Sequence, residues 1–468
     1  MIVMKFGGTS TQDAKSILNV VKIIQSRLVE RPLVVVSAIA QATNILERAG
    51  ANAADGREQE AAEGIRALID RHLSISVELI SAGDRRNMVM EFIKSAYAEL
   101  KTLVHGIHIL KELTPRTLDS LYCYGELLSS RIVAAVLQEN DVDAVWLDTK
   151  DFMITDGSHT RAQPLFELIE KSLQPIVTPL LTRNAVPVTQ GFIGVTQTGR
   201  RTTMGRESSD YSASIIGSLL KADDIQIWTD VDGVLTADPR VVTNPKKVKV
   251  LTFEEAYELS YFGAKVLHPN TMLPAIEKNI PIHIFNSRRP ELSGTLITKQ
   301  PPLAQVIVKS VASKRNVSLI TVVPKVRYSP YIFWEHIHSI LTKYSAAANL
   351  TSTSEYNYSF VLDEKNEIPS ILHDLSEIGA VEHFPGRGII SLVGARLRGS
   401  PDLLTRLFSA IGQLDVSMIS FGASPSSFSF VVDDAIVPDI VRKIHAEFFD
   451  KVTNREIFES IDHTNLEN

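Results

Sequence analysis

Ile2-Val3-Met4-Lys5-Phe6-Gly7-Gly8-Thr9-Ser10 is the stretch of sequence that decides the fold. An apolar run that ends at two glycines is typical of a central strand in a parallel sheet. Apolar residues then recur at helical spacing, at Ile17, Val20, Val21, Ile24 and Leu28. Ser10 with Asp13 matches a capping box, so we expect a helix to begin near Ser10.

A strand that turns through two glycines into a helix N-terminus can bind a phosphate. Lys5 leaves the strand just before this turn, where its ammonium group could reach the same phosphate. The alternative is an ordinary strand–helix unit whose lysine faces solvent. This stretch by itself leaves both interpretations open.

Length and composition limit the class of protein. A chain of 468 residues should contain about three domains. It is 44% hydrophobic and 22% charged with a net charge of −6, and it has no sustained Lys/Arg run, so we expect no nucleic-acid partner. No apolar stretch approaches the roughly 18 residues that span a bilayer, and the N-terminal run is too short for a signal peptide. The single cysteine, Cys123, excludes an internal disulfide, so we expect a cytoplasmic protein.

Strands and helices alternate over residues 1–298, which predicts an α/β domain with a mostly parallel sheet. Residues 56–113 are polar and almost free of proline, which indicates two or three helices. Another helix is predicted to start at Leu121, and further strands are predicted at 225–230 and 282–286. Residues 299–302 are typical of a linker.

An internal repeat follows the linker. Residues 359–364 (Ser-Phe-Val-Leu-Asp-Glu) recur seventy positions later as residues 429–434 (Ser-Phe-Val-Val-Asp-Asp). Each copy has the pattern strand, helix, strand, strand, helix, strand of a ferredoxin-like βαββαβ unit. We therefore predict two further domains, 305–385 and 386–468. The alternative is that these domains serve dimerisation alone.

Four separated motifs carry a resemblance to a known family. They are residues 5–10 (Lys-Phe-Gly-Gly-Thr-Ser), 205–210 (Gly-Arg-Glu-Ser-Ser-Asp), 228–240 (Trp-Thr-Asp…Asp-Pro-Arg) and 262–269 (Phe-Gly-Ala-Lys-Val-Leu-His-Pro). In this order the motifs resemble those of the aspartate kinases, a branch of the amino acid kinase family. The tandem C-terminal units resemble ACT domains. The resemblance implies a three-layer αβα kinase domain, followed by two ACT domains that bind an amino acid.

The resemblance also implies an activity and a set of site residues. The expected reaction transfers the γ-phosphoryl group of ATP to the β-carboxylate of L-aspartate, with Lys5 at the transferred phosphoryl group and Asp210 holding the lysines. The expected residues for aspartate are Thr43, Glu126, Arg206 and Ser209. The expected residues for ATP are Lys5, Gly7, Gly8, Thr229, Asp230, Arg240, Lys265 and Val266. For Glu126 by itself, an exposed carboxylate near a helix N-terminus is the open alternative.

Cofactors and partners follow from the same resemblance. Mg²⁺ is expected on the ATP phosphates and no metal is expected on protein ligands, because Mg²⁺ keeps most of its waters. Lysine or threonine is expected as an effector of the ACT domains, in a homodimer or larger homo-oligomer. The 468 residues leave no room for the homoserine dehydrogenase domain of some relatives, so a monofunctional enzyme is expected.

The sequence departs from the family pattern at four positions. Glu207 and Ser208 replace two glycines, which adds a negative charge beside an anionic substrate. Leu235 replaces a tyrosine near the nucleotide of lysine-sensitive relatives. Asn349 replaces an aspartate that holds the effector in those relatives, and an asparagine is a weaker partner for an ammonium group. The sequence therefore predicts catalysis more firmly than lysine feedback.

Two other functions compete with this interpretation. A kinase of another acidic metabolite, such as glutamate or acetylglutamate, is disfavoured by the tandem C-terminal units and by the Phe262 to Lys265 motif. An amino-acid sensor on an inactive kinase scaffold would have lost Lys5 or Asp210, and both are present.

Overall fold

The computed structural model describes residues 1–205, 207–263, 267, 269–299, 308–326, 329–451 and 454–460. The chain divides into two compact units: Met1–Gly233 with Asn270–Lys299, and Val234–Pro269 with Gln300–Asn468. The segment Val234–Pro269, which the sequence places in the kinase domain, therefore clusters with the second unit. The domain bounds 1–298, 305–385 and 386–468 stay predictions.

The helices and strands alternate as the sequence predicts over most of the first unit. The helices are α1 (Ala14–Ser26), α2 (Ala42–Ala54), α3 (Glu58–Leu79), α4 (Asp84–Leu110), α5 (Pro115–Glu139), α6 (Phe166–Thr182), α7 (Ser209–Leu220), α8 (Phe253–Tyr261), α9 (Pro269–Lys278), α10 (Pro330–Lys343), α11 (Ile368–Ile378), α12 (Pro401–Ile411) and α13 (Val437–Phe449). The strands are β1 (Ile2–Phe6), β2 (Pro32–Val36), β3 (Ala144–Trp146), β4 (Ile154–Thr155), β5 (Val186–Gln190), β6 (Ile193–Thr196), β7 (Arg201–Thr203), β8 (Asp224–Thr229), β9 (Lys246–Val248), β10 (Val250–Thr252), β11 (Ile282–Asn286), β12 (Thr295–Thr298), β13 (Val308–Pro324), β14 (Leu350–Thr353), β15 (Tyr358–Asp363), β16 (Gly379–Gly394), β17 (Met418–Phe421), β18 (Ser427–Asp433) and β19 (Phe458–Ser460).

β1 lies in the middle of the main sheet of the first unit. Within that unit the strand order is β12-β11-β8-β1-β2-β5-β3. β1 pairs in parallel with β2 and with β8, so that Lys5 lies between Val35 and Ile227. β12 is antiparallel to its neighbour β11. The prediction of a mostly parallel sheet organised around residues 1–10 is confirmed.

Alternate residues of a strand point to opposite faces of the sheet. Because the residues of β1 are buried on both faces, helices cover both faces of this sheet. Met4 and Phe6 belong to a hydrophobic core that includes buried residues of α1 to α5. α7 packs on the other face. A Cβ atom added to Gly217 of α7 would lie 2.7 Å from Ile225 and 3.6 Å from Val3, so the helix contacts the sheet closely. The αβα layers are confirmed.

The first helix begins later than predicted. Residues Gly8–Thr11 form a short 3₁₀ turn, and α1 begins at Ala14. Asp13 is itself the N-cap, since its Oδ1 accepts from the backbone N–H of Ser16 at 2.8 Å. The Ser10 hydroxyl donates instead to Ser287 Oγ at 2.8 Å. The predicted capping box is wrong because a tertiary contact takes the hydroxyl that it needed.

The second unit contains an antiparallel sheet with the order β14-β15-β13-β16-β18-β17. α10 and α11 cover the first repeat, where Phe333 and Leu375 pack against Ile320 and Phe360 of the sheet. α12 and α13 pack against each other in the second repeat. Both helical pairs follow the predicted repeat.

One strand serves both repeats. Val317–Val322 of β13 pairs with β15 of the first repeat, whereas Ser310–Lys314 of the same strand pairs with Ile389–Val393 in the second repeat. The last strand of the second repeat therefore precedes the first repeat in the chain, which differs from the predicted chain order. β19, which follows α13, pairs with β9 instead. The first half of β13, in which Val308 and Val311 are buried, therefore takes the place that was predicted for a strand at the C-terminal end of the second repeat. β19, the strand that follows α13, is only three residues long.

Among the described residues, helices α3, α4 and α5 are each longer than 20 residues. Within these residues, none combines enough length with enough apolar sequence to cross a bilayer.

Candidate active site

Lys5 and Asp210 form an ion pair at the end of the central strand. Lys5 is the penultimate residue of β1, and Asp210 lies in the first turn of α7. Lys5 Nζ lies 2.7 Å from Asp210 Oδ1, and the two side chains are 11% and 15% exposed. A pair that is mostly shielded from water keeps its geometry better than a surface pair. The predicted contact between these two residues is thus present.

The Gly7–Gly8 turn passes close to two neighbouring segments. The backbone N–H of Gly7 donates to Trp228 O at 3.1 Å, which ties the turn to the end of β8. A Cβ atom added to Gly8 would lie 2.7 Å from Ala38 O, so a larger residue would push the loop after β2 away. Because α1 starts at Ala14, the glycines do not open directly into a helix N-terminus. The sequence predicted that these glycines lead directly into a helix whose N-terminus binds a phosphate, but the α-helix begins six residues after Gly8.

A cavity of about 240 Å³ lies beside this turn. Its lining brings together residues from the turn, the loop after β2, the middle of α5 and the start of α7: Gly8, Ala38, Ile39, Ala40, Gln41, Thr43, Asn44, Glu126, Phe192, Glu207 and Ser209. Thr43, Glu126 and Ser209, predicted to bind aspartate, all line this cavity. Glu207, which replaces a family glycine, lines it as well.

Glu126 is a buried carboxylate in the middle of a helix. α5 begins at Pro115, earlier than the predicted start at Leu121, and Glu126 is 4% exposed. The alternative of an exposed carboxylate near a helix N-terminus is therefore wrong. Burial raises the pKa of Glu126 to about 8, although a backbone hydrogen bond from Ala38 and the charge of Lys5 lower it. Among the described residues, its Oε2 has no hydrogen-bond partner.

An unpartnered buried carboxylate oxygen at a cavity wall suits a cationic group of a ligand. Glu126 would gain a charge-assisted hydrogen bond from an ammonium group placed there. Lys5 contributes a positive charge close enough to lower the pKa of Glu126. The arrangement can hold a small zwitterion beside a cationic group.

The predicted ATP residues divide between the two units. Thr229 and Asp230 follow β8 in the first unit, where Thr229 Oγ1 donates to Asp230 Oδ1 at 3.3 Å. Arg240 belongs to the second unit, and its Nη2 lies 2.6 Å from Asp238 Oδ2 while its side chain is 78% exposed. Three other predicted site residues, Arg206, Lys265 and Val266, lie outside the described residues.

Two polar residues that support the site were missed by the sequence analysis. Asp119, fully buried on α5, accepts from His159 Nδ1 at 2.7 Å and from Thr203 Oγ1 at 2.5 Å. It thereby fixes the strand that leads into Gly205. Arg71 on α3 donates to the carbonyl oxygen of Ala40 at 2.7 Å. For Asp119, the only sign in the sequence was a carboxylate within the apolar pattern of α5. For Arg71, the sequence gave no sign of a role at the site.

In residues 1–205, 207–263 and the other described parts, no group of three or more His, Cys, Asp or Glu side chains is placed to hold a metal ion. A cation bound through a nucleotide needs fewer protein ligands than that.

Known proteins with the same sequence pattern and fold identify the class. The pattern of the amino acid kinase family matches residues 1–286, and that of the ACT domain matches residues 390–448. The chain is thus a member of the amino acid kinase family that also carries an ACT domain.

Individual relatives narrow the class further. Aspartokinase 1, chloroplastic, of Arabidopsis thaliana is 36% identical over 96% of this chain and 80% of its own length. The crystal structure of E. coli aspartokinase III with aspartate and ADP (R-state) has a TM-score of 0.84 at 31% identity, covering 96% of this chain and 100% of its own. The structure of the same enzyme with lysine and aspartate (T-state), with equal identity and coverage, has a TM-score of 0.78. The chain belongs to the aspartokinases within the amino acid kinase family.

Proposed function

We propose that the enzyme transfers the γ-phosphoryl group of ATP to the β-carboxylate of L-aspartate and forms 4-phospho-L-aspartate. The cavity beside the Lys5–Asp210 ion pair carries this proposal, because Glu126, Thr43 and Ser209 line one small space. The substrate carboxylate is itself the nucleophile. Catalysis then needs positioning and positive charge rather than a protein nucleophile.

Each residue has a role in this proposal. Lys5 stabilises the charge on the transferred phosphoryl group, and Asp210 orients Lys5. Glu126 accepts from the α-ammonium group of aspartate. Arg206 binds the α-carboxylate, because a guanidinium donates to both oxygens of a carboxylate.

The remaining polar residues complete the two substrate sites. Thr43 and Ser209 add hydrogen bonds to aspartate. ATP is assigned to the residues that the resemblance to the aspartate kinases implies: Lys5, Gly7, Gly8, Thr229, Asp230, Arg240, Lys265 and Val266. Mg²⁺ is assigned to the ATP phosphates, where it would neutralise charge during transfer.

The acceptor is tested by measuring ADP release with Mg-ATP and either L-aspartate, L-glutamate or N-acetyl-L-glutamate. Hydroxylamine traps the acyl phosphate and distinguishes it from ATP hydrolysis. Aspartate should be the best acceptor, since an extra methylene group moves the carboxylate away from in-line geometry. Equal turnover of aspartate and glutamate would contradict the proposal.

We also propose control by an amino acid at the repeats of the second unit, with lysine as the first candidate and threonine as the second. Asn349, at the position of the effector-binding aspartate of relatives, accepts from Lys314 Nζ at 2.6 Å and donates to Asp363 Oδ1 at 2.9 Å. Because the Asn349 amide is neutral and already bonds to these two side chains, a lysine effector should bind more weakly here than at an aspartate in the same position.

Calorimetric titration with lysine, threonine and both together tests this control, with inhibition of ADP release as the second readout. Absence of binding by either amino acid would remove the regulatory proposal and leave the kinase proposal intact.

We further propose a homodimer through residues beyond 305. Tyr331 and Tyr356 of the first repeat support it, because they are 76% and 62% exposed. The expected cytoplasmic location stays a proposal, supported by the single buried thiol of Cys123.

A further inference from the structure

Two neighbouring backbone segments shape the wall of the cavity. The first is the Gly7–Thr11 turn after β1, and the second is residues 37–41 after β2, called here the β2 loop. The backbone N–H of Ala40 donates to Gly8 O at 3.1 Å, which joins the two segments. The backbone N–H of Ala38 bonds the Glu126 carboxylate. The position of the β2 loop therefore determines how Glu126 is presented to a ligand.

Arg71, which is absent from the cavity lining, binds the β2 loop at Ala40 and the chain directly after the Gly7–Thr11 turn at Gln12. Its Nη1 donates to Ala40 O at 2.7 Å, and its Nη2 donates to Gln12 O at 2.6 Å. Arg71 lies on α3, is half-buried, and is absent from the cavity lining. Because a guanidinium is planar, its two donors fix the distance between these carbonyl groups.

The β2 loop has a backbone conformation that needs support. Gln41, directly after the bound Ala40 carbonyl, has φ of +70°, in the left-handed region. A residue with a side chain adopts this region at a cost, and surrounding contacts must maintain it. The Gly7–Thr11 turn has further anchors, since Gly7 and Ser10 bond to Trp228 and Ser287. Loss of Arg71 should therefore affect the β2 loop more than the glycine turn.

We propose that Arg71 is a positioning residue of the acceptor pocket, which holds the β2 loop so that the Ala38 N–H can orient the Glu126 carboxylate. The inference depends on the proposed function, because it assigns this pocket to aspartate. Arg71 acts through backbone carbonyl groups and does not touch the substrate.

Arg71→Met tests the inference, since methionine keeps the helix and the aliphatic volume but removes both donors. The KM for aspartate should rise about tenfold, whereas the KM for ATP should stay within about twofold. Arg71→Lys, which keeps the charge and one flexible donor, should recover part of the loss. Arg66→Met, at an exposed arginine of the same helix, is the matched control and should resemble the parent.

Hydrogen–deuterium exchange measures the loop without relying on activity. In Arg71→Met, peptides that cover residues 37–46 should exchange about tenfold faster, and peptides from β8 should be unchanged. An unchanged KM for aspartate with unchanged exchange in this loop would overturn the inference. Equal rises in both KM values with a lowered melting temperature would also overturn it, because they indicate general destabilisation. If the parent enzyme does not phosphorylate aspartate, the proposed function is contradicted. The exchange of residues 37–46 would still test whether Arg71 holds the β2 loop.

Discussion

Glu126 and Glu207 bring two carboxylates to the same small cavity, and their surroundings differ. Glu126 is buried beneath the loop after β2, whereas Glu207 is exposed at the start of α7 and has φ of +65°. Burial makes the charge of Glu126 sensitive to pH near neutrality. Glu207 reaches solvent, so water screens its interaction with a charged substrate. The two residues should therefore affect substrate binding in different ways.

Aspartate binding should strengthen as the pH rises towards 8. The pKa of Glu126 is raised from its ordinary value of 4.5 to about 8, so the empty site is mostly protonated at lower pH. An ammonium group prefers the carboxylate form, and binding below pH 8 must release this proton. The KM for aspartate should fall by up to about tenfold per pH unit between pH 6 and 8 and then level off. Steady-state kinetics with saturating ATP measures this dependence.

Glu126→Gln is the control for this pH dependence. The amide cannot ionise, so the variant should have a high KM for aspartate that varies little over the same range. Lys5 and Glu207 are the other charged groups that face this region, and both are unchanged in Glu126→Gln, so the comparison isolates the carboxyl group of Glu126. A KM that is constant between pH 6 and 8 in the parent enzyme would refute the assigned role of Glu126.

Substitution of Glu207 should improve aspartate binding. Glu207→Gly removes a negative charge beside an anionic substrate and also the left-handed strain. Repulsion of about 1 kcal/mol in a water-like environment corresponds to about a fivefold lower KM for aspartate. Glu207→Gln removes the charge but keeps a side chain at positive φ, so it separates charge from strain. A higher KM in Glu207→Gln would show that Glu207 attracts the substrate ammonium group instead.

The sequence identifies some site residues and necessarily misses others. Lys5 lies in a motif whose local pattern indicates its chemistry, whereas Glu126 was assigned only through the resemblance to the aspartate kinases. Asp119 and Thr203 are 84 positions apart, and only the folded sheet and helix bring them together. Arg71 acts on backbone carbonyl groups, which carry no residue-specific signal in a sequence.

At the level of elements, a buried ion pair joins α8 to the shared strand β13. Lys309 Nζ lies 2.7 Å from Glu255 Oε2, and the two side chains are 3% and 1% exposed. The same Glu255 oxygen accepts from the backbone N–H of Thr252, which completes a capping box at the start of α8. One carboxylate thus stabilises both the helix start and its contact with the strand.

Removal of the lysine should destabilise the second unit strongly. Lys309→Met leaves the Glu255 carboxylate buried without its charged partner, which should lower the free energy of unfolding by about 3–5 kcal/mol. Urea denaturation followed by near-UV circular dichroism measures the change. The double variant Lys309→Met/Glu255→Gln should recover much of the loss, because the amide carries no charge and can still accept from Thr252. Equal stability of the parent and Lys309→Met would contradict this account.

Elements were predicted well where a local pattern decides them. Buried apolar runs identified β1, β2 and β8, and helical spacing identified α1. The start of α1 was misplaced because Ser10 bonds to Ser287, 277 positions away. Local propensity cannot include such a contact.

For the molecule as a whole, the shared strand makes the second repeat depend on residues outside it. A fragment of residues 386–460 lacks Ser310–Lys314, the partner of Ile389–Val393. It should remain largely unfolded, because one side of β16 then has open hydrogen-bonding groups and exposed apolar residues. Chemical-shift dispersion in nuclear magnetic resonance spectra and circular dichroism show whether the fragment is folded.

The same fragment with residues 308–315 joined to its C-terminus by a flexible linker should fold. The substitution Ala312→Pro in that added strand is the matched control. The backbone N–H of Val311 donates to Thr236 O, so that of Ala312 faces β16, and a proline there cannot donate to the sheet. Folding of the unextended fragment, or of the proline variant equally well, would show that the strand is dispensable.

The shared strand also constrains how this protein can diversify. A genetic crossover near residue 386 would exchange α12, β17, β18 and α13 and leave Ser310–Lys314 with the other parent. The hybrid sheet would then combine strands that have not been selected together. The two repeats are therefore expected to be inherited and replaced as one block, and effector specificity should change by substitutions within the block rather than by shuffling of single repeats.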